Sequence, residues 1–288
     1  MAHWDHRQQL QYFLTRNTAA DFPVRLLSWN CNSIRARLTH ALRLIEQYQP
    51  DIVCLQETKV ANSQFPVNPF KDRGYRHIAL NGQRMHHGVA ILSRWPFRDP
   101  VALDWCGKSD CRHQRICLTS GVEVHNFYVP SGGDTPDPEA NPRFAHKLAF
   151  LDEMIAWAPD QPRPMILVGD LNVAPLETDV WSHKQMLGVV SHTPPETARL
   201  TQLLSAGRDW VDGQRHIVPT EQTLFTWWSY RARDWRASNR GRRLDHLWLS
   251  RPLLPHYRTM QILDQARDWE KPSDHAPVLA EFDDGVAG

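Results

Sequence analysis

Five apolar stretches of this chain are bounded by acids and amides: "SWNCN" (28–32), "LQETK" (55–59), "GDLN" (169–172), "RLDH" (243–246) and "PSDH" (272–275). Asp and Asn also end strands simply as turn formers, so any one of these carries little weight. Together they constrain the fold. When buried strands deliver acids and amides at their ends, the ends share one rim and the side chains converge there. Five separate turns, each holding an unpaired acid or amide, are the less economical account.

The runs themselves read as strands: 24–30, 51–57, 88–93, 115–120, 122–129, 165–172, 243–250 and 276–282, with "TLFTWW" (223–228) as a further one. The pair 115–120 and 122–129 reads as a hairpin across Gly121. Ile34, Leu38, Leu42 and Ile45 recur at helical spacing and predict an amphipathic helix over 34–48, stopped by Pro50. Phe144, Leu148, Leu151 and Ile155 predict a second helix, and Leu200, Leu203 and Leu204 a third near 196–206. Strands and helices alternate, so the class is α/β or mixed α+β. Residues 1–22 are polar and mixed and read as an N-terminal extension, leaving one domain over 23–284. "PSGGDTPDPEANP" (130–142) is a long loop of the kind that carries function.

No apolar run approaches the ~20 residues that span a bilayer, and no secretory signal opens the chain, so no membrane partner is expected. Five cysteines without metal-site spacing argue for reduced thiols and an intracellular, cytoplasmic setting, with Cys31 and Cys54 in the core. The net charge of +1 excludes a bulk-basic nucleic-acid binder. The exception is local. "WWSYRARDWRASNRGRR" (227–243) sets Arg231, Arg233, Arg236, Arg240, Arg242 and Arg243 among Trp and Tyr, with Asp234 its lone acid. Guanidinium forks suit phosphate oxygens and flat rings suit bases. A solvated arginine-rich loop is the alternative.

The chemistry available is that of carboxylates, amides, a tyrosine and a histidine. No Cys/His cluster offers a structural zinc site, and the oxygen donors favour a hard cation, Mg²⁺ or Mn²⁺. No glycine-rich nucleotide loop, G-x-S-x-G elbow or cysteine nucleophile is present. Metal-assisted hydrolysis by activated water fits this inventory.

The chain resembles the exonuclease III family of apurinic/apyrimidinic endonucleases, within the endonuclease/exonuclease/phosphatase superfamily. "SWNCNSIRAR" (28–37), "PDIVCLQETKV" (50–60), "GVAIL" (88–92), "NFYVPSGG" (126–133), "GDLNVAP" (169–175), "TWWSYR" (226–231), "NRGRRLDHLWLS" (239–250) and "EKPSDHAPV" (270–278) carry the resemblance. They stand in family order and cover essentially 25–282. The resemblance implies an α+β four-layer sandwich, two packed, mainly antiparallel sheets flanked by helices. It implies Mg²⁺, with Mn²⁺ as a substitute, surrounded by Glu57, Asn32 and Asp274. Asp170 would hold or activate the attacking water, oriented by Asn30. Asn172 and Tyr128 would grip the phosphate, and His275, oriented by Asp245, would stabilise the developing oxyanion. Trp227 would line a pocket for a base-free deoxyribose, and Arg231, Arg143 and Lys147 would contact phosphates.

Adjacent residues of an extended segment point to opposite sides, so Asp274 and His275 are not expected to pair with each other. Ser33, Ser229 and Ser131 depart from residues common in the family, and none of the core acids is lost. The expected activity is cleavage of double-stranded DNA 5′ to abasic sites, with trimming of damaged 3′ ends and no obligate protein partner. The alternatives are a phosphatase acting on a non-DNA phosphoester and a DNA-binding homologue without turnover.

Overall fold

The computed structural model describes residues 23–157, 164–205, 210–283 and 286. Residues 1–22, assigned above to an extension, lie outside the described residues. The strands are, in chain order, β1 (Val24–Asn30), β2 (Ile52–Gln56), β3 (His77–Asn81), β4 (Val89–Ser93), β5 (Phe97–Val101), β6 (His113–Leu118) and β7 (Glu123–Tyr128). There follow β8 (Met165–Asp170), β9 (Trp210–Asp212), β10 (Trp227–Trp228), β11 (Gly241–Arg242), β12 (Asp245–Ser250), β13 (Tyr257–Ile262) and β14 (Val278–Phe282).

They form two six-stranded sheets, β13-β14-β1-β2-β4-β3 and β5-β6-β7-β8-β12-β9, and a small ribbon of β10 with β11. Each large sheet holds one parallel pair, β1 with β2 and β7 with β8, and is antiparallel elsewhere.

The inner strands are apolar on both faces because each face meets a different core. On β1 and β2, Leu26, Ile52 and Cys54 point between the sheets, where they meet Ile116, Val124, Ile166 and Leu247. Their neighbours Leu27, Val53 and Leu55 point outward onto Ala41, Leu44 and Ile45 of the helix Leu38–Tyr48. Leu167 and Trp248 face outward from the second sheet onto Phe150, Leu151, Met154, Leu200 and Leu203 of the helices Pro142–Ala156 and Pro194–Ser205. The layers therefore run helix, sheet, sheet, helix.

Between the sheets, buried Gln56 donates to Asn126 Oδ1 at 2.7 Å, and Asn126 Nδ2 donates to the carbonyls of Leu55 and Ala90, each at 3.0 Å. These bonds lock β2 against β7 next to the rim. All five cysteines are free, with Cys31 and Cys54 buried. Among the described residues no helix is long and apolar enough to cross a membrane.

Three details differ from the sequence reading. The first helix begins at Leu38 rather than 34. Asn32 and Ser33 take left-handed φ values of 44° and 90°, and Arg37 turns back to donate to the Asn32 carbonyl. "TLFTWW" contributes only the two residues of β10. The strands β3, β5, β9 and β13 were not legible, and all are sheet edges.

Candidate active site

Register alone brings the polar strand ends together. Asn30 ends β1 opposite Gln56 of the parallel β2. Tyr128 ends β7 opposite Asp170, and Asp245 opens β12 opposite the same Asp170. Gly169 makes this ending possible. Its φ is +132°, and a Cβ there would stand 1.9 Å from the Phe127 carbonyl oxygen.

Buried Asn30 is the hinge of the site: its Nδ2 donates to Glu57 Oε1 at 2.9 Å and to Asp170 Oδ2 at 2.8 Å. Asn172 folds back over Asp170, its backbone N–H reaching Oδ1 at 2.9 Å and its side-chain Nδ2 reaching Oδ2 at 3.1 Å. Glu57 and Asn172 hold φ of 51° and 54°. Asn tolerates that region, whereas for Glu57 it costs about 1–3 kcal/mol, strain that the surrounding bonds must offset.

His275 bonds through Nδ1 to Asp245 Oδ2 at 2.8 Å and sets Nε2 3.7 Å from Asp170 Oδ2. Asp245 Oδ2 also accepts from Thr226 Oγ1 at 2.6 Å. The adjacent Asp274 faces away, accepting from Asn32 Nδ2 at 3.2 Å and from Trp227 Nε1 at 2.9 Å. The two neighbours do point to opposite sides, and the histidine's carboxylate is Asp245.

The electrostatics follow from burial and charge. Burial is the largest influence on His275 and would lower its pKa, but the Asp245, Asp170 and Asp274 charges together raise it well above the usual imidazole value. Burial likewise raises Asp170, with His275 opposing and Asp245 adding to the rise. Glu57 goes the other way. Burial would raise it, yet the Lys59 ammonium and the Asn30 amide hold it below the ordinary carboxylate value. Burial and the Glu57 and Asp170 charges push the Tyr128 hydroxyl far up, so it remains a proton donor, directed at Glu57.

Glu57, Asp170 and His275 form a candidate metal-binding group whose ligand atoms lie within 4.8 Å of one another. Within that group His275 is bonded to Asp245 through Nδ1 and turns Nε2 toward Asp170. The Lys59 ammonium bridges Glu57 Oε2 at 2.7 Å and Asn32 Oδ1 at 2.6 Å. A cation is thus already seated between the oxygens of the expected metal set, and Asp274 is joined to them through Asn32.

Two cavities adjoin the rim. One of about 660 Å³ is lined by Glu57, Lys59, Tyr128, Arg112, Lys108 and Arg143 among others. The other, of about 620 Å³, is lined by Trp227, Arg231, Trp181, Arg240 and Arg242 among others.

Lys147 corrects an expectation. It is fully buried, ion-paired to Glu196, and donates to the carbonyl of Asn172 at 2.7 Å, so it props the Asn172 loop from behind and presents nothing to a phosphate. The arginine-rich segment also divides. Arg243 is buried against Asp179 and Asp212, and Arg236 pairs with Asp264 and Asp268. Thr226, Glu196 and the Gln56–Asn126 pair were not singled out from sequence. Thr226, Gln56 and Asn126 lie inside the motifs "TWWSYR", "LQETK" and "NFYVPSGG", whereas Glu196 lies outside every motif quoted above.

A rim of this kind can activate water against a phosphoester and hold the product's charge, and the chain is a phosphodiester hydrolase. Residues 27–275 match the model described as the Endonuclease/Exonuclease/phosphatase family, and the chain belongs to that family, in the branch of exonuclease III and the AP endonucleases. It is 32% identical over 273 residues to exodeoxyribonuclease III of Haemophilus influenzae, covering 90% of this chain and 100% of that one. The structure of an AP endonuclease from Archaeoglobus fulgidus superposes with a TM-score of 0.83 at 31% identity, covering 90% and 99% of the two chains. A 3′ phosphatase from Neisseria, bound to product DNA hairpin, superposes with a TM-score of 0.82 at 28% identity, covering 90% and 99%.

Proposed function

We propose that this chain is a Mg²⁺-dependent DNA repair nuclease acting inside the cell, which hydrolyses the backbone of double-stranded DNA 5′ to abasic sites and trims damaged 3′ ends. The observation that carries the reading is Asn30 tying Glu57 to Asp170, with His275 and its own carboxylate Asp245 alongside.

The oxygen donors fit a hard divalent cation, and Mn²⁺ would substitute. Bound at Glu57, with Asn32 and Asp274 beside it, the ion would offset charge on the scissile phosphate. Asp170, fixed by Asn30 and raised by burial, takes the proton of the attacking water near neutral pH. His275 remains an imidazolium and donates from Nε2 to the charge that develops on phosphate oxygen. Asn172 and Tyr128 orient the phosphate. Trp227 and Arg231 contact DNA from one cavity and Arg143 from the other.

The deciding assay runs duplexes with an internal abasic analogue and with a recessed 3′ end side by side. Mg²⁺-dependent cleavage of both is expected, lost in Asp170→Asn. Turnover of an inositol or lipid phosphoester that duplex DNA fails to inhibit would contradict the reading.

Lys59 gives a separate expectation. Its ammonium competes with the metal for Glu57 and Asn32, so Lys59→Met should tighten Mn²⁺ binding about tenfold or more. Calorimetric titration without DNA reads this directly. Unchanged or weaker affinity would show that Lys59 organises the site rather than competing for it.

A further inference from the structure

Five of the six arginines of 227–243 fall into two groups. Arg236 and Arg243 have carboxylate partners and lie away from the Trp227 cavity. Arg231, Arg240 and Arg242 line that cavity, and among the described residues no carboxylate pairs with any of the three. None of the residues lining it is an acid.

Arg242 is the most constrained of the three. Its backbone pairs with Trp227 across the β10–β11 ribbon, and its guanidinium carbon lies 4.9 Å from the centre of the Trp227 ring. Nη1 donates to the Val190 carbonyl at 3.1 Å and to Ser191 Oγ at 2.9 Å, while Nε is buried without a partner. Arg240 lies 4.6 Å over the Trp181 ring. A half-buried guanidinium with an unmet donor is costly unless an anion completes it, and Glu196, the carboxylate whose charge reaches Arg242, is already paired with Lys147.

The cavity belongs to the reaction centre. Trp227 is bonded to Asp274 through its indole N–H and bridged to His275 through its backbone. A neutral base-free sugar stacking on Trp227 would meet a pinned cation on the ring and would offer that cation nothing.

We propose that the Trp227 cavity is an anion subsite next to the scissile phosphate and that Arg242 determines its specificity, favouring 3′ ends that carry an additional phosphate or carboxylate over a neutral abasic sugar. This rests on the DNA nuclease reading and ranks the substrates within it.

The test compares kcat/KM on three duplexes that differ only at the damaged position. They carry a 3′-phosphoglycolate, a 3′-terminal abasic nucleotide bearing a 3′-phosphate, and a 3′-terminal tetrahydrofuran ending in a free hydroxyl, and in each the bond 5′ to the damaged unit is the one followed. The full-length protein should favour one or both charged ends over tetrahydrofuran, and the first two arms distinguish carboxylate from phosphate. Arg242→Leu should reduce that preference about tenfold or more, mainly through KM on the charged ends, and Arg242→Lys should restore part of it. The exposed variants Arg231→Ala and Arg240→Ala should shift the ratio the same way by smaller factors, which guards against misfolding of Arg242→Leu. Equal losses on all three duplexes would reduce Arg242 to a general DNA contact and overturn the proposal, as would a wild-type preference for tetrahydrofuran. Failure to cleave any of the three would instead sink the nuclease reading.

Discussion

Asp170→Asn is expected to lower kcat by about a thousandfold or more while leaving the fold in place, because the amide matches the carboxylate in shape and cannot accept the proton of water. The site is built around that carboxylate: Asn30 and Asn172 both direct N–H groups at it. Burial raises its pKa first of all, so the wild-type group accepts a proton in the neutral range, where an exposed Asp would be a poor base. Relief of a charge that burial disfavours is offset by turning an amide N–H toward the donors of Asn30 or Asn172, so thermal unfolding should shift by no more than a few degrees. Single-turnover rates with saturating DNA and metal measure the effect. A loss under tenfold would move the base role elsewhere.

Asp245→Asn is the second large effect, about a hundredfold or more near neutral pH. The amide presents N–H where His275 Nδ1–H needs an acceptor, and it removes the nearest of the charges that raise the imidazole pKa. The sign follows. The working form is the imidazolium, which a raised pKa preserves above neutrality in the wild type. With Asp245 neutralised the proton leaves at lower pH, and Asp170, which the Asp245 charge also raises, ionises at lower pH too, so the whole pH–rate profile moves down and activity recovers in part on acidification. His275→Ala added to Asp245→Asn should cost little more, since both remove one device. Losses that multiply, or a basic limb that moves with Asp274→Asn instead, would contradict the pairing.

The inner strands were legible because both of their faces are buried. "DIVCLQE" and "MILVGDLN" read as apolar runs since β2 and β8 have a core on each side. The unread strands carry weaker patterns. Phe97–Val101 exposes its middle residues, and Tyr257–Ile262 is half polar. An edge strand in contact on one side only has no reason to be continuously apolar.

Convergence of the acids was legible for a related reason, since register fixes which strand ends share a rim. Charge pairing was not. Asp179, Asp212, Asp264 and Asp268 lie far in sequence from the arginines they neutralise, and Glu196, which encloses Lys147, sits on another helix. A count of charges within one segment cannot see partners that arrive only with the fold.

The central claim, hydrolysis assisted by a metal at Glu57, is tested most directly by a Mg²⁺ titration of turnover on an end-labelled duplex, starting from chelator-treated wild type and Glu57→Gln. The account predicts no cleavage in chelator, full recovery of the wild type, and a Glu57→Gln curve displaced to about tenfold higher Mg²⁺ or more, because one charged oxygen is lost from a hard-cation site. Cleavage that persists in chelator, or superimposable curves for the two proteins, would contradict it.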